Sequence, residues 1–253
     1  MEGLALVIAL TLLQAQPGPA AEVRSLGRQL MIQTKEDLAT YEAAIARGGA
    51  NQLDRLLKEL TLVVLNANPS ADPEVLQAEL RAVYDPWVPS EYTSRAPEVF
   101  RVSLRDQPVM IVTWRTRMGG AGAPRSHVQI LAYEKAGSGW RFTAETGEFL
   151  HDHGLFVVPV LSLRATEAWL VSYGVRTGSS RVDLTVALLA FDGNQFRTRW
   201  MYQDLAGGSV RVLPSGLRLE YRAYYAAGPN FIEVIEDLTF TPSGLAVKSR
   251  RIK

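Results

Sequence analysis

The chain has 253 residues, 47% of them hydrophobic and 21% charged, which is enough to bury a sizeable core in one large domain or two small ones. Its 27 basic and 26 acidic side chains leave a net charge of +1, so no electrostatic footprint for nucleic acid is present. Cysteine is absent, which excludes disulfides, thiolate metal sites and cysteine nucleophiles.

Leu4–Leu13 (LALVIALTLL) is an apolar run of ten residues followed by a Pro/Gly/Ala stretch. A bilayer-spanning helix needs about 20 such residues. The run has the length of a secretory signal core, with cleavage expected after Ala15, Ala20 or Ala21, although the Met-Glu-Gly start lacks the usual basic residue. The expectation is a signal peptide over residues 1–21 and an exported protein, periplasmic or extracellular, with no membrane span after cleavage.

Residues 22–85 have helical character. Lys35–Arg47 sets Leu38, Tyr41, Ala44 and Ile45 on one face and ends at Gly48-Gly49. A second helix follows Asn51, with Leu53, Leu56, Leu57, Leu60 and Val64 as its apolar stripe. Asp72-Pro73 has the order of a cap and a first helical residue, and Val75, Leu76, Leu80 and Val83 follow at helical spacing. Residues 86–99 hold three prolines and read as a connection.

Beyond Phe100 the period becomes two. Three sets of four strands follow, in units of about 100–150, 151–205 and 206–253. Within each unit the strands alternate with glycine-containing loops (RMGGAGAPRS, RTGSSR, AAGP) and tight turns (KAGSG, DGNQ, TPSG). Four strands recurring at this period resemble β-propeller blades in architecture, without the motifs of a named propeller family. The expected fold class is α+β: an N-terminal helical segment, then an all-antiparallel β domain of three four-stranded repeats over residues 100–253. A sandwich or barrel is the alternative, and open sheet edges would allow a homo-oligomer.

Glu-Phe-Leu-His-Asp-His-Gly at 148–154 holds two of the three histidines. In a meander, this link lies at the same end as the loop before His127, so His127, His151 and His153, with Asp152, are candidate ligands for a divalent metal such as zinc. A metal-dependent hydrolase is the function this would imply. The same string is also good turn chemistry, in which case no cofactor is expected. The serines sit in no Gly-x-Ser-x-Gly elbow, and no phosphate-cradling loop precedes a helix. Glu233 and Asp237 fall on one face of their strand and Glu236 on the other, where a polar outer face is the simple account.

Aromatics and arginines interleave at Trp114-Arg115-Thr116-Arg117 and at Phe196–Tyr202. Alternation puts Phe196, Thr198, Trp200 and Tyr202 on one face, and Arg197 and Arg199 on the other. Trp114, Arg117, Arg197, Arg199, Trp200, Tyr202 and Tyr224 are the candidate binding residues, since Trp, Tyr and Arg dominate recognition surfaces. The function expected is therefore an exported, non-catalytic interaction module for a protein or glycan, bound through the loop rim or this aromatic face.

Overall fold

The computed structural model describes residues 49–84, 97–118, 125–146, 154–157, 166–177, 182–224, 231–241 and 244–252. These form two helices and two antiparallel sheets. The helices are α1 (Gly49–Ala67) and α2 (Pro73–Tyr84). Asp72 opens α2 as expected, its carbonyl accepting the amides of Val75 and Leu76 at 3.1 and 3.2 Å. The first helix of the sequence reading, Lys35–Arg47, lies outside the described residues. Among the described residues no helix is long and apolar enough to cross a membrane.

The first sheet is a four-stranded meander of β1 (Glu98–Leu104), β2 (Gln107–Met118), β3 (Arg125–Ala136) and β4 (Gly139–Glu145). The second has seven strands in chain order: β5 (Gly154–Val157), β6 (Ala168–Thr177), β7 (Val182–Phe191), β8 (Phe196–Leu213), β9 (Gly216–Tyr224), β10 (Phe231–Thr241) and β11 (Gly244–Ile252). Neither sheet closes, because β1, β4, β5 and β11 are edges.

Strand composition follows from which faces are covered. The run Val109–Trp114 is apolar apart from Thr113 because β2 is buried on both sides. Met110, Val112 and Trp114 pack under Leu57, Leu60, Leu65, Leu76 and Leu80 of the helices. Val109 and Ile111 face the other way, meeting Leu170, Leu189 and Phe191 of the second sheet. Strand β7 is likewise covered twice, with Ala187, Leu189 and Phe191 toward the first sheet and Leu184, Val186, Leu188 and Ala190 toward a third core. Leu217 and Leu219 of β9 and Leu238 and Phe240 of β10 close that core. Strands β9 and β10 alternate instead. Their outer face carries Arg218, paired with Asp237 through two hydrogen bonds of 2.6 and 3.2 Å, and Arg250 approaches the same carboxylate at 3.8 Å. That array of layers thus has helices over one end and a charged face at the other.

The helices also satisfy both edges of the first sheet. The Asn66 amide holds Trp140 of β4 like a missing strand: Trp140 N donates to Oδ1 at 2.7 Å and Nδ2 donates to its carbonyl at 3.2 Å. On the opposite edge, Val99 N of β1 donates to Gln77 Oε1 at 3.2 Å. Val75, placed on the packing stripe from its spacing, is 50% exposed, because Leu76 and Leu80 alone carry the buried face of α2 on that turn.

Two departures from simple alternation shape the second sheet. The Leu205–Ser209 stretch, at the boundary expected between the second and third units, lies inside β8, which runs unbroken from the second set of strands into the third. Its pairing slips between Leu184 and Val186 on the β7 side and between Ala206 and Ser209 on the β9 side, with Asp204 and Gly207 at positive φ of 55° and 59°. Such bulges add twist and bend, and they fold β9–β11 back over β6 and β7.

The tight turn between β7 and β8 is held by Asp192. Its Oδ1 accepts the amides of Asn194 and Gln195 at 2.9 and 3.0 Å, and Arg197 lies 3.4 Å from its other oxygen. Burial raises the carboxyl pKa, but the two amides and Arg197 outweigh it and hold the group below its ordinary value. A depressed folded pKa means stability that is present above the unfolded pKa and lost as pH falls through the folded one. Asp192→Asn should therefore flatten the acid side of the stability profile below about pH 4, as measured by chemical denaturation across pH. An unchanged acid limb would show that the turn carries no such linkage.

Candidate functional site

The predicted aromatic face is rearranged by a bulge. Leu188 pairs with Trp200 and Leu189 with Thr198, so Arg199 is the extra residue. Period two is interrupted there. Phe196 packs with Phe191 toward the first sheet, at 4.8 Å between ring centroids, while Trp200 and Tyr202 turn into the third core. The expectation that Phe196, Trp200 and Tyr202 share a face is corrected by this one inserted residue. Arg197, paired with Ala190, falls on the same face as Trp200 and Tyr202.

Trp114 is a packing residue. It is 1% exposed, and its indole Nε1 donates to Thr61 Oγ1 of α1 at 2.7 Å. The helix that accepts the indole N–H also covers the ring. Arg199 pairs with Glu167, whose other oxygen accepts Trp169 Nε1 at 3.0 Å. Arg117 and Tyr224 lie in β2 and β9, opposite Ser126 and Phe231. His127 lies in β3 opposite Thr116. His151, Asp152 and His153 fall outside the described residues, and so does the proposed meeting of the histidines. Among the described residues no group of three His, Asp or Glu side chains could hold a metal ion.

What the structure does bring together is a group of aromatics at the margin of the third core, in the second sheet. Trp200 and Tyr202 are half-buried, with ring centroids 4.5 Å apart at 52°. Tyr173 and Tyr221, also half-buried, border the same core from β6 and β9. Facing them from β10 is Glu236, which is 6% exposed. Its Oε1 accepts Ser249 Oγ of β11 at 2.6 Å, while Oε2 is buried without a hydrogen-bond partner. The Tyr202 phenol is pushed to a higher pKa, first by burial and then by the charge of the neighbouring Glu236 carboxylate and a hydrogen bond to it, so it is neutral and able to donate at physiological pH.

Glu236 and Ser249 were not singled out as a site from sequence. A signal was available: Ile232, Val234, Glu236, Leu238 and Phe240 share one face of β10 by alternation, and Glu236 is the only polar member. A lone carboxylate in an inward-facing apolar series marks either a solvated edge or a site.

No protein family, curated protein or solved structure matches the chain.

Proposed function

We propose that this chain is an exported, non-catalytic binding module whose aromatic cluster takes a protein or glycan ligand. The observation that carries this reading is the half-exposed Trp200–Tyr202 pair set against a buried carboxylate with a vacant acceptor. Broad ring faces beside a few convergent polar groups are the chemistry of a recognition site. Ser249 alone does not make a catalytic unit of Glu236, because no base–nucleophile–orienter chain accompanies it among the described residues. Export rests on the Leu4–Leu13 run. The three four-stranded units are proposed as propeller-type blades, stacked face to face: the cores between the first and second units and between the second and third support this, and the run-through strand β8 joins the last two.

Trp200→Ala tests the reading. Screened on immobilised glycans and on a peptide library, the wild-type protein should bind members of one class, and the variant should lose at least tenfold in affinity with its melting temperature within a few degrees of wild type. Binding that survives Trp200→Ala would move the site elsewhere on the molecule.

A further inference from the structure

We propose that Glu236 is the charge-recognition point of this site and takes an organic cation, the ammonium or guanidinium of a lysine or arginine side chain on a protein partner. The inference rests on the binding reading above and names its ligand.

The argument starts from two carboxylates that are neighbours in sequence. Asp237 points to the outer face and is matched by Arg218 and Arg250. Glu236 points inward and is almost fully buried; its partners among the described residues are neutral hydroxyls, Ser249 on Oε1 and the neighbouring Tyr202 phenol, and Oε2 has no partner at ordinary hydrogen-bond distance. An ionised carboxylate accepts hydrogen bonds on both oxygens, and burying it without a compensating cation is costly. Among the described residues, folding has therefore supplied cations to the carboxylate that water could have solvated and only neutral hydroxyls to the one it could not. A neutral hydroxyl would fill the vacant acceptor but leave the charge unmatched. A cationic N–H donor does both.

The walls fit the same ligand. The electron-rich faces of Trp and Tyr attract cations, most strongly where water is excluded; Tyr202 stands beside Glu236, the Trp200 ring lies against Tyr202, and Tyr221 and Tyr173 border the same core. Entry runs over Ser249 and Val247 of β11, both exposed, Val247 by 47%. Strand β11 is paired on one side only, by β10, so an extended peptide can lie along it while its side chain reaches inward. That edge geometry is why a protein side chain is assigned rather than a free amine. Arg251 pairs with Val234 in the β10–β11 register, two residues beyond Ser249, so the test below includes Arg251→Gln.

The test uses the full chain and two probes followed by the indole resonance of Trp200, assigned by its loss in Trp200→Ala. The first probe is acetyl-lysine-N-methylamide, with a free side-chain ammonium; the second is its Nε-acetylated, neutral counterpart. The wild type should bind the first and not the second. Glu236→Gln, which keeps the shape and removes the charge, should weaken binding of the first at least tenfold, and Arg251→Gln should leave it unchanged or tighter. Equal binding of both probes would overturn the cation while leaving the aromatic site standing. Binding that appears only in Arg251→Gln would overturn it too, since Arg251 would then be the resident partner of Glu236. No shift with either probe in wild type and Arg251→Gln, in a protein whose glycan or peptide binding still depends on Trp200, would likewise end the proposal and spare the binding reading.

Discussion

Trp114→Ala is expected to destabilise the protein by about 3–5 kcal/mol, the range for truncating a large buried aromatic. The ring fills the layer between the first sheet and α1, against Leu57, Leu131 and Tyr133. Its removal leaves a cavity that two covered faces cannot collapse into, and the buried Thr61 hydroxyl, which still donates to the Leu57 carbonyl at 2.7 Å, loses the indole N–H it accepts. For a chain of this size the loss corresponds to a fall in melting temperature of roughly 6–20 °C. Thermal unfolding followed by far-ultraviolet circular dichroism measures it. The neighbouring Tyr133 behaves as the same kind of residue: burial first of all drives its phenol pKa far upward, and the hydroxyl donates to the Lys58 carbonyl at 3.1 Å. A Trp114→Ala variant that melts with the wild type would show that the helices are not an integral layer of the fold.

Gly216→Ala is expected to be as damaging, for a reason of backbone rather than side-chain volume. A Cβ built at Gly216 would lie 1.8 Å from the Leu238 carbonyl oxygen and 2.9 Å from its carbon, both main-chain atoms of the paired strand. No rotamer relieves such a clash, so β9 and β10 must separate where they hold Leu217 and Leu238 in the third core. The expected cost is at least about 4 kcal/mol, in the tail of single substitutions. Hydrogen exchange locates it: amides of β9–β11 should lose protection, while β1–β4, which share no core with them, keep theirs. Wild-type protection in β9 and β10 would contradict the close approach.

The proposed site depends on the same region, which gives the two results a joint use. Glu236 lies between Leu219 of β9 and Ser249 of β11. Gly216→Ala should therefore abolish ligand binding together with local order, whereas Glu236→Gln should remove the charge alone. Comparing the two separates a damaged site from an uncharged one.

Strand positions were legible in the chain because they are written locally. Period-two runs bounded by KAGSG and DGNQ become β3–β4 and β7–β8 hairpins, with Gly137 and Gly193 at the positive φ of 59° and 98° that those turns need. The split of Glu233 and Asp237 from Glu236 follows from the same alternation and holds in the register. The β1–β2 turn was less legible: Arg105 and Asp106, both at positive φ, carry a two-residue hairpin that Asn-Gly would form more easily.

The amino-acid sequence by itself determined that helices precede a long antiparallel meander, and roughly where its strands turn, since periodicity and turn residues act over a few neighbours. It also placed Trp200, Tyr202 and Glu236 on strands. Tertiary structure decided which faces were inside. A single extra residue at Arg199 sent Trp200 away from Phe196, the bulges at Asp204 and Gly207 fused two expected units through β8, and α1 covered Trp114. Bulges and covering layers are set by partners distant in the chain, whose packing outweighs local alternation. Alternation alone already sets the Glu236 carboxylate on the apolar face of β10; that the face is covered, and the carboxylate buried with Oε2 unpartnered, is decided by the third core.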